Sequence, residues 1–213
     1  MSTELTAAAS PFGNIAEHVE KSLRLSQQQG LLTDNLSPNY MELARARRLY
    51  AANTGAGTAI APVAAIPTTA AAWALYNGHT TRMVVPIMVT CHSVSGTLGL
   101  GMSLLAGLSG TKQASALTAY ASSVSKPITP GSAASGGVFA QGATLAEAPA
   151  WITLASRDQV SAVSVGSGLT GFPDGLFVIP PLYALGATVL APLGTTALFN
   201  VGFVWAELDM TLS

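Results

Sequence analysis

The sequence predicts a mainly β fold, an antiparallel β-sandwich of the jelly-roll kind preceded by two short helices and an extended arm. Apolar residues near the carboxyl end alternate with small or polar ones, as in Phe199, Val201, Phe203 and Trp205. This period of two is typical of strands with one buried face. Charge is also scarce, because residues 51–213 hold only nine of the nineteen charged side chains. Ordinary soluble domains are about 25% charged, so a chain with so little charge must sit in a membrane, press against copies of itself or other subunits, or tolerate an unusually neutral surface.

The amino-terminal region, residues 1–53, is predicted to be helical. Asn14 can cap a helix over 14–29 that Gly30 ends. A second helix is expected over about 39–51, where Pro38 suits the first turn and the arginines lie in the carboxyl half. Two short helices cannot form a core alone, so we expect them to dock on the rest of the chain.

Residues 54–71 are predicted to be an extended arm or linker. They are rich in Ala, Gly, Thr and Pro and carry no charge. Such a segment is apolar enough to lie along a neighbouring subunit. We therefore take five residues of the arm and the body as interface candidates: Ile60, Val63, Ile66, Trp73 and Phe139. Deletion of residues 1–71 is expected to leave a folded β body that assembles poorly.

Residues 72–213 are predicted to form the β-sandwich domain. Turn sequences such as Asn77-Gly78 and Pro173-Asp174-Gly175 separate its strands. Predicted strands cover 72–77, 82–92, 97–108, 113–122 (weak), 137–145, 150–156, 159–167, 175–181, 183–191 and 197–208. The Ser/Pro/Gly stretch 122–136 is long for a connection in a compact domain, and it is interpreted either as a contact loop or as a tolerated surface excursion.

Membrane insertion, export and nucleic-acid binding are all disfavoured. The charge-free stretches 49–81, 83–111 and 175–206 exceed the ~20 residues of a spanning helix, but prolines and glycines interrupt them. The amino terminus lacks the basic and apolar regions of a secretory signal. A net charge of −1 gives no field that would attract nucleic acid. The single cysteine, Cys91, excludes an intramolecular disulfide.

Candidate motifs for chemistry are weak. The glycine motif at 166–171 is followed by Phe172-Pro173 and another predicted strand, so a hairpin connection is favoured over a phosphate-binding loop. The three histidines lack metal-ligand spacing, and His79 is predicted to be an exposed turn residue. Glu207 flanks a strand without a second carboxylate at a useful spacing. We therefore predict no catalytic, cofactor-binding or metal-ligating residue, no cofactor and no enzymatic activity.

The aromatic residues leave two interpretations open. Side chains such as Trp151 and Trp205 could line a sugar site, but at alternating strand positions they are more often part of the core.

The arm 54–71 and the closing strands GLFVIPPLYALGATVLAPLGTTALFNVGFVWAEL carry a resemblance. In its organisation, the chain resembles virion structural proteins of tailed bacteriophages, which include capsid-decorating and cement proteins, fibre subunits and jelly-roll coat proteins. The resemblance implies a non-enzymatic structural subunit located in the virion. Its partners would be copies of itself, with a trimer favoured, and other virion proteins. The alternative is a carbohydrate- or receptor-binding β-sandwich module such as a fibre tip.

Overall fold

The computed structural model describes residues 6–7, 21–22, 40–54, 59–96, 101–120, 126–128, 130–131, 133–158, 168–192 and 196–209. Within these ranges the elements are β1 (Thr6–Ala7), β2 (Lys21–Ser22), α1 (Met41–Arg45), β3 (Leu49–Asn53), β4 (Ala70–Asn77), β5 (Arg82–Ser95), β6 (Met102–Leu108), β7 (Lys126–Pro127), β8 (Gly137–Thr144), β9 (Ile152–Arg157), β10 (Gly168–Gly171), β11 (Ala184–Leu190) and β12 (Leu198–Asp209).

Ten of the strands form two five-stranded antiparallel sheets. Sheet I has the order β10-β5-β12-β3-β7, and sheet II has the order β8-β4-β11-β6-β9. β1 pairs with β2 in a separate two-stranded sheet. The prediction of a mainly β, antiparallel fold is therefore confirmed.

The two sheets share one hydrophobic core. Sheet II contributes Trp73 and Leu75 of β4, and sheet I contributes Tyr50 of β3 and Phe203 of β12. The rings of Phe139 and Phe203, one from each sheet, lie 5.6 Å apart. The alternating pattern of β12 therefore directs its aromatic face toward the opposite sheet, as its period of two predicted.

The outer faces of both sheets are partly covered. On sheet II, Leu145 is buried beside Ala71 and Ala184, and Trp151 packs against this cluster. Gly186 allows this close approach, because a Cβ there would lie 2.9 Å from Ala71 Cβ. On sheet I, Leu43 and Ala44 of α1 pack against the buried side chains of Leu49, Ile87 and Ala206.

The prediction of two helices is wrong. In the first predicted helix, 14–29, the described residues Lys21 and Ser22 form β2, and the others lie outside the described ranges. The second predicted helix, about 39–51, contracts to Met41–Arg45. It ends because Arg47 has a φ of 57°, the left-handed conformation of a Schellman motif. The Arg48 and Arg47 amides donate to Leu43 O and Ala44 O, each at 2.9 Å. The chain then enters β3.

Most strand predictions for the body are confirmed, and two are wrong. β4, β5, β6, β8, β9, β11 and β12 each fall on a predicted strand. The described residues of the weak run 113–122 contain no strand, and 175–181 form a turn with one isolated bridge between Ile179 and Val84. The last four residues of the glycine motif form β10 instead of a hairpin turn. The predicted strand 159–167 includes only undescribed residues.

The predicted arm contacts the sheets of its own chain. Ile60 forms an antiparallel bridge with Phe199, and Val63 forms a parallel bridge with Leu190. Deletion of residues 1–71 would therefore remove β3, these two bridges and the first residues of β4. The expectation that this deletion leaves a folded body does not fit the structure, because Tyr50 of β3 belongs to the shared core.

Among the described residues, the structure contains no helix whose length and hydrophobicity would allow it to span a bilayer.

Candidate functional site: a buried carboxylate at one end of the sheets

The most unusual polar group of the described structure is the carboxylate of Glu207, near the end of β12. The inward face of this strand presents Phe199, Val201, Phe203 and Trp205 to the core, and Glu207 is the next inward residue. Its side chain is 0% exposed. A buried carboxylate must be hydrogen-bonded or paired, and Glu207 is both.

One oxygen of Glu207 accepts hydrogen bonds from the segment that enters β8. Ser135 Oγ donates to Oε1 at 2.5 Å, and the backbone amides of Gly136 and Gly137 each donate to it at 3.0 Å. Trp205 Nε1 lies 3.4 Å from the same oxygen. This oxygen therefore fixes the first residues of a sheet II strand to the end of a sheet I strand.

The other oxygen contacts the β4–β5 turn. His79 Nε2 lies 2.6 Å from Glu207 Oε2, and Arg82 at the start of β5 lies 3.9 Å away. The turn itself is built by Asn77, which is fully buried. Asn77 Oδ1 accepts from the His79 amide at 3.0 Å, and its Nδ2 donates to the carbonyl oxygens of Arg82 and Ile179. Asn77 thus places both the imidazole and the guanidinium near the carboxylate.

A more exposed ion-pair layer surrounds this buried group. Asp209 accepts from Arg82 Nε at 2.9 Å and from Arg48 at 2.5 Å. Arg48 also donates to the backbone oxygen of Glu207. The residues that join α1 to β3 are therefore bound to the end of β12 by side chains as well as by the strand pairing.

Contacts and burial act in opposite directions on the acidity of this site. Burial raises the pKa of Glu207, whereas hydrogen bonds from Ser135, His79 and Gly137 lower it, and the net pKa is below the usual value. The hydrogen bond from Arg48 lowers the pKa of Asp209. Burial and the nearby Glu207 charge raise the pKa of Tyr50. Glu207 is therefore ionised at neutral pH.

The cluster combines serine, histidine and glutamate, the residue types of a nucleophilic triad. A serine nucleophile needs its hydroxyl on the base. In this site the Ser135 hydroxyl and the His79 imidazole instead contact the same carboxylate. The arrangement orders two loops around one charge. Within the described ranges, no group of three or more His, Cys, Asp or Glu side chains could hold a metal ion.

Sequence reasoning missed this site. The prediction that His79 is an exposed turn residue is wrong, because its side chain is only 19% exposed and pairs with Glu207. The sequence predicts that Glu207 flanks a strand, whereas it lies within β12. Extending the alternation of Phe203 and Trp205 by two residues would have identified its inward direction.

The interface candidates separate into two groups. Trp73 and Phe139 are 0% and 1% exposed in the core of a single chain, so they are not available to a partner and their prediction as interface residues is corrected. Ile60 and Val63 are partly buried at their bridges, and Ile66 is 61% exposed. The aromatic residue Trp205 is part of the core, and Trp151 packs on the outer face of sheet II.

Comparison with protein-family models, with curated proteins and with solved structures finds no match to this chain.

Proposed function

We propose that this chain is a non-enzymatic structural subunit of a virus particle, a capsid, decoration or head- or tail-associated protein that associates with copies of itself. The nesting of its strand pairs carries the proposal. The pairs are β3 with β12, β4 with β11, β5 with β10, and β6 with β9. A single long antiparallel hairpin, rolled up, produces this nesting. In this interpretation the fold is the eight-stranded jelly roll that occurs in viral capsid and lectin domains, with β7 and β8 inserted at the tip of the hairpin.

The surface composition supports association. Three of the nine charged residues after position 50, Arg82, Glu207 and Asp209, are joined in one cluster. The rest of this region has few charges to keep it solvated. Large apolar side chains are exposed instead, including Phe172 at 62% and Leu176 at 60%. Exposed apolar patches are typical of protein contact sites.

The exposed apolar residues lie in two separate segments of the chain. Ile66 follows the bridge between Val63 and Leu190, at the end of β11. Phe172 and Leu176 lie in the β10–β11 connection. This connection continues to the bridge between Ile179 and Val84, near the start of β5. A contact between these two unlike patches on neighbouring copies would be heterologous, and a heterologous contact whose rotation closes forms a ring, such as the trimer favoured from the sequence.

The mass of the full-length protein tests the proposal, measured by light scattering after size exclusion in detergent-free buffer. We expect a trimer or a larger closed assembly. The double variant F172S/L176S should lower the mass while its far-UV circular dichroism spectrum stays that of the wild type. The control T153S changes an exposed polar residue of β9 and should leave the mass unchanged. A monomer at every concentration would contradict self-association.

One observation favours the alternative, a carbohydrate- or receptor-binding module. The Tyr40 hydroxyl donates to Asp174 in the loop that carries the exposed Phe172. Aromatic surfaces beside a few fixed polar groups are typical of small-ligand sites. Glycan-array binding by the full chain that F172A abolishes and T153S retains would favour this function.

A further inference from the structure

Glu207 holds the end of a long connection by a concentrated set of hydrogen bonds. The Ser135 hydroxyl and the amides of Gly136 and Gly137 converge on one carboxylate oxygen at 2.5–3.0 Å. An ionised carboxylate is an acceptor at both oxygens, whereas a protonated one carries a hydrogen on one of them. Protonation therefore removes the charge that makes these hydrogen bonds strong.

The opposite oxygen holds the β4–β5 turn. His79 Nε2 lies 2.6 Å from Oε2. Gly136 lies directly on the imidazole, because a Cβ there would be 2.4–2.6 Å from the His79 ring. The turn and the segment entering β8 are thus packed on each other and held by the same side chain.

Charged and titratable groups lie near Glu207 on each element around it except the segment entering β8. They are His79 in the β4–β5 turn, Arg82 of β5, Arg48 before β3, Tyr50 of β3 and Asp209 of β12 itself. The segment entering β8 contributes neutral donors. Glu207 is the carboxylate to which both loops are directly attached.

We propose that Glu207 is an acid-sensitive latch whose protonation releases residues 133–137 and the β4–β5 turn from the end of β12 while the two sheets remain paired. The backbone hydrogen bonds that pair β12 with β5 and β3 join amide and carbonyl groups, which do not titrate between pH 7 and pH 3. A second attachment of the connection, from Arg47 to the Gly131 carbonyl at 3.1 Å, is exposed and contributes little on its own.

The latch is closed at neutral pH. Since its hydrogen bonds hold the pKa of Glu207 below the usual value, the carboxylate stabilises the closed form above the unfolded-state pKa of about 4.3. That stabilisation is lost as the pH falls through the lower pKa of the folded state. Opening is therefore expected only below the unfolded-state pKa of about 4.3.

Hydrogen–deuterium exchange of the full chain from pH 7 to pH 3, corrected for intrinsic rates, tests the latch. In the wild-type protein, residues 133–137 should lose protection in acid, while 184–190 of β11 retains it. In E207Q the low-pH step should disappear and 133–137 should be less protected throughout. D209N changes the neighbouring exposed carboxylate of the same strand and should retain the step.

S135A provides a second variant that keeps the carboxylate and removes one donor. Its step should move to higher pH, because a hydrogen bond that lowers the Glu207 pKa is gone. The proposal is overturned if residues 133–137 and 184–190 lose protection together. It is also overturned if the step survives in E207Q or stays at the wild-type pH in S135A.

Discussion

Glu207 and His79 are 128 residues apart in the sequence, and their Oε2 and Nε2 atoms lie 2.6 Å apart in the structure. This contact joins the last strand of sheet I to the turn that leaves sheet II. Since the Glu207 side chain is fully buried, the contact is protected from the solvent that weakens most surface ion pairs. The polar cluster at this end therefore connects the two sheets where the apolar core ends.

Replacement of Glu207 should destabilise the whole fold. E207A leaves Ser135, Gly136 and Gly137 without their acceptor, and we expect a loss of about 3–5 kcal/mol, because each buried donor left unpaired costs about 1–3 kcal/mol. E207Q keeps one acceptor oxygen and should lose less, about 1–3 kcal/mol. Urea unfolding at pH 7 measures both. Equal stability of E207A and the wild type would show that the cluster contributes nothing.

The exposed ion pairs should behave differently from the buried carboxylate. Asp209 is 46% exposed, so D209N should lose less than about 1 kcal/mol, and 1 M salt should remove most of the difference. Because its hydrogen bond with Arg48 lowers the pKa of Asp209, this small contribution is present above about pH 3.9 and is lost as the pH falls through the folded-state pKa. Unfolding at low and high salt, with E207Q as the salt-insensitive comparison, measures it. A salt response of E207Q as large as that of D209N would contradict the distinction.

The sequence predicts the strands of residues 72–213 better than α1 and β3, which precede them. β3 consists of Leu49, Tyr50, Ala51, Ala52 and Asn53, and its leucine and alanines favour a helix. It is a strand because Tyr50 pairs with Trp205 and their rings stack at 6.2 Å, a contact that no local pattern contains.

The end of α1 is not predictable from the sequence for a similar reason. Helices commonly stop at a glycine in the left-handed conformation, and Arg47 occupies that position here. Its guanidinium donates to the Gly131 carbonyl, 84 residues away. The carboxylate cluster is predictable only in part. Alternation along β12 predicts that Glu207 points inward, whereas only the fold brings His79 and Ser135 to it.

Two buried threonines offer a matched test of hydrogen bonding. Thr188 is 0% exposed, and within the described structure its hydroxyl has no hydrogen-bond partner. T188V removes a buried unpaired hydroxyl and should stabilise the protein by about 1 kcal/mol. Thr54 Oγ1, in contrast, accepts from the Val201 amide at 2.9 Å. T54V should therefore destabilise by about 1–3 kcal/mol. Thermal unfolding of both variants, with a rise for T188V and a fall for T54V, checks the assignment, and a fall for both would reject it.

Cys91 should report on opening of the sheets. It is 2% exposed between β10 and β12, and burial raises the pKa of its thiol to about 11 despite a backbone hydrogen bond at Leu169. The low exposure of Cys91 limits access of a reagent, and the raised pKa keeps the fraction of reactive thiolate small. At pH 8 a disulfide reagent should therefore label the native chain only through rare openings and the urea-unfolded chain at once. Because Cys91 is the single cysteine, C91S gives the background. If opening is global, the labelling rate should rise in E207A by about tenfold for each 1.4 kcal/mol of lost stability. Rapid, complete labelling of the native wild type would show that this part of sheet I is open to solvent.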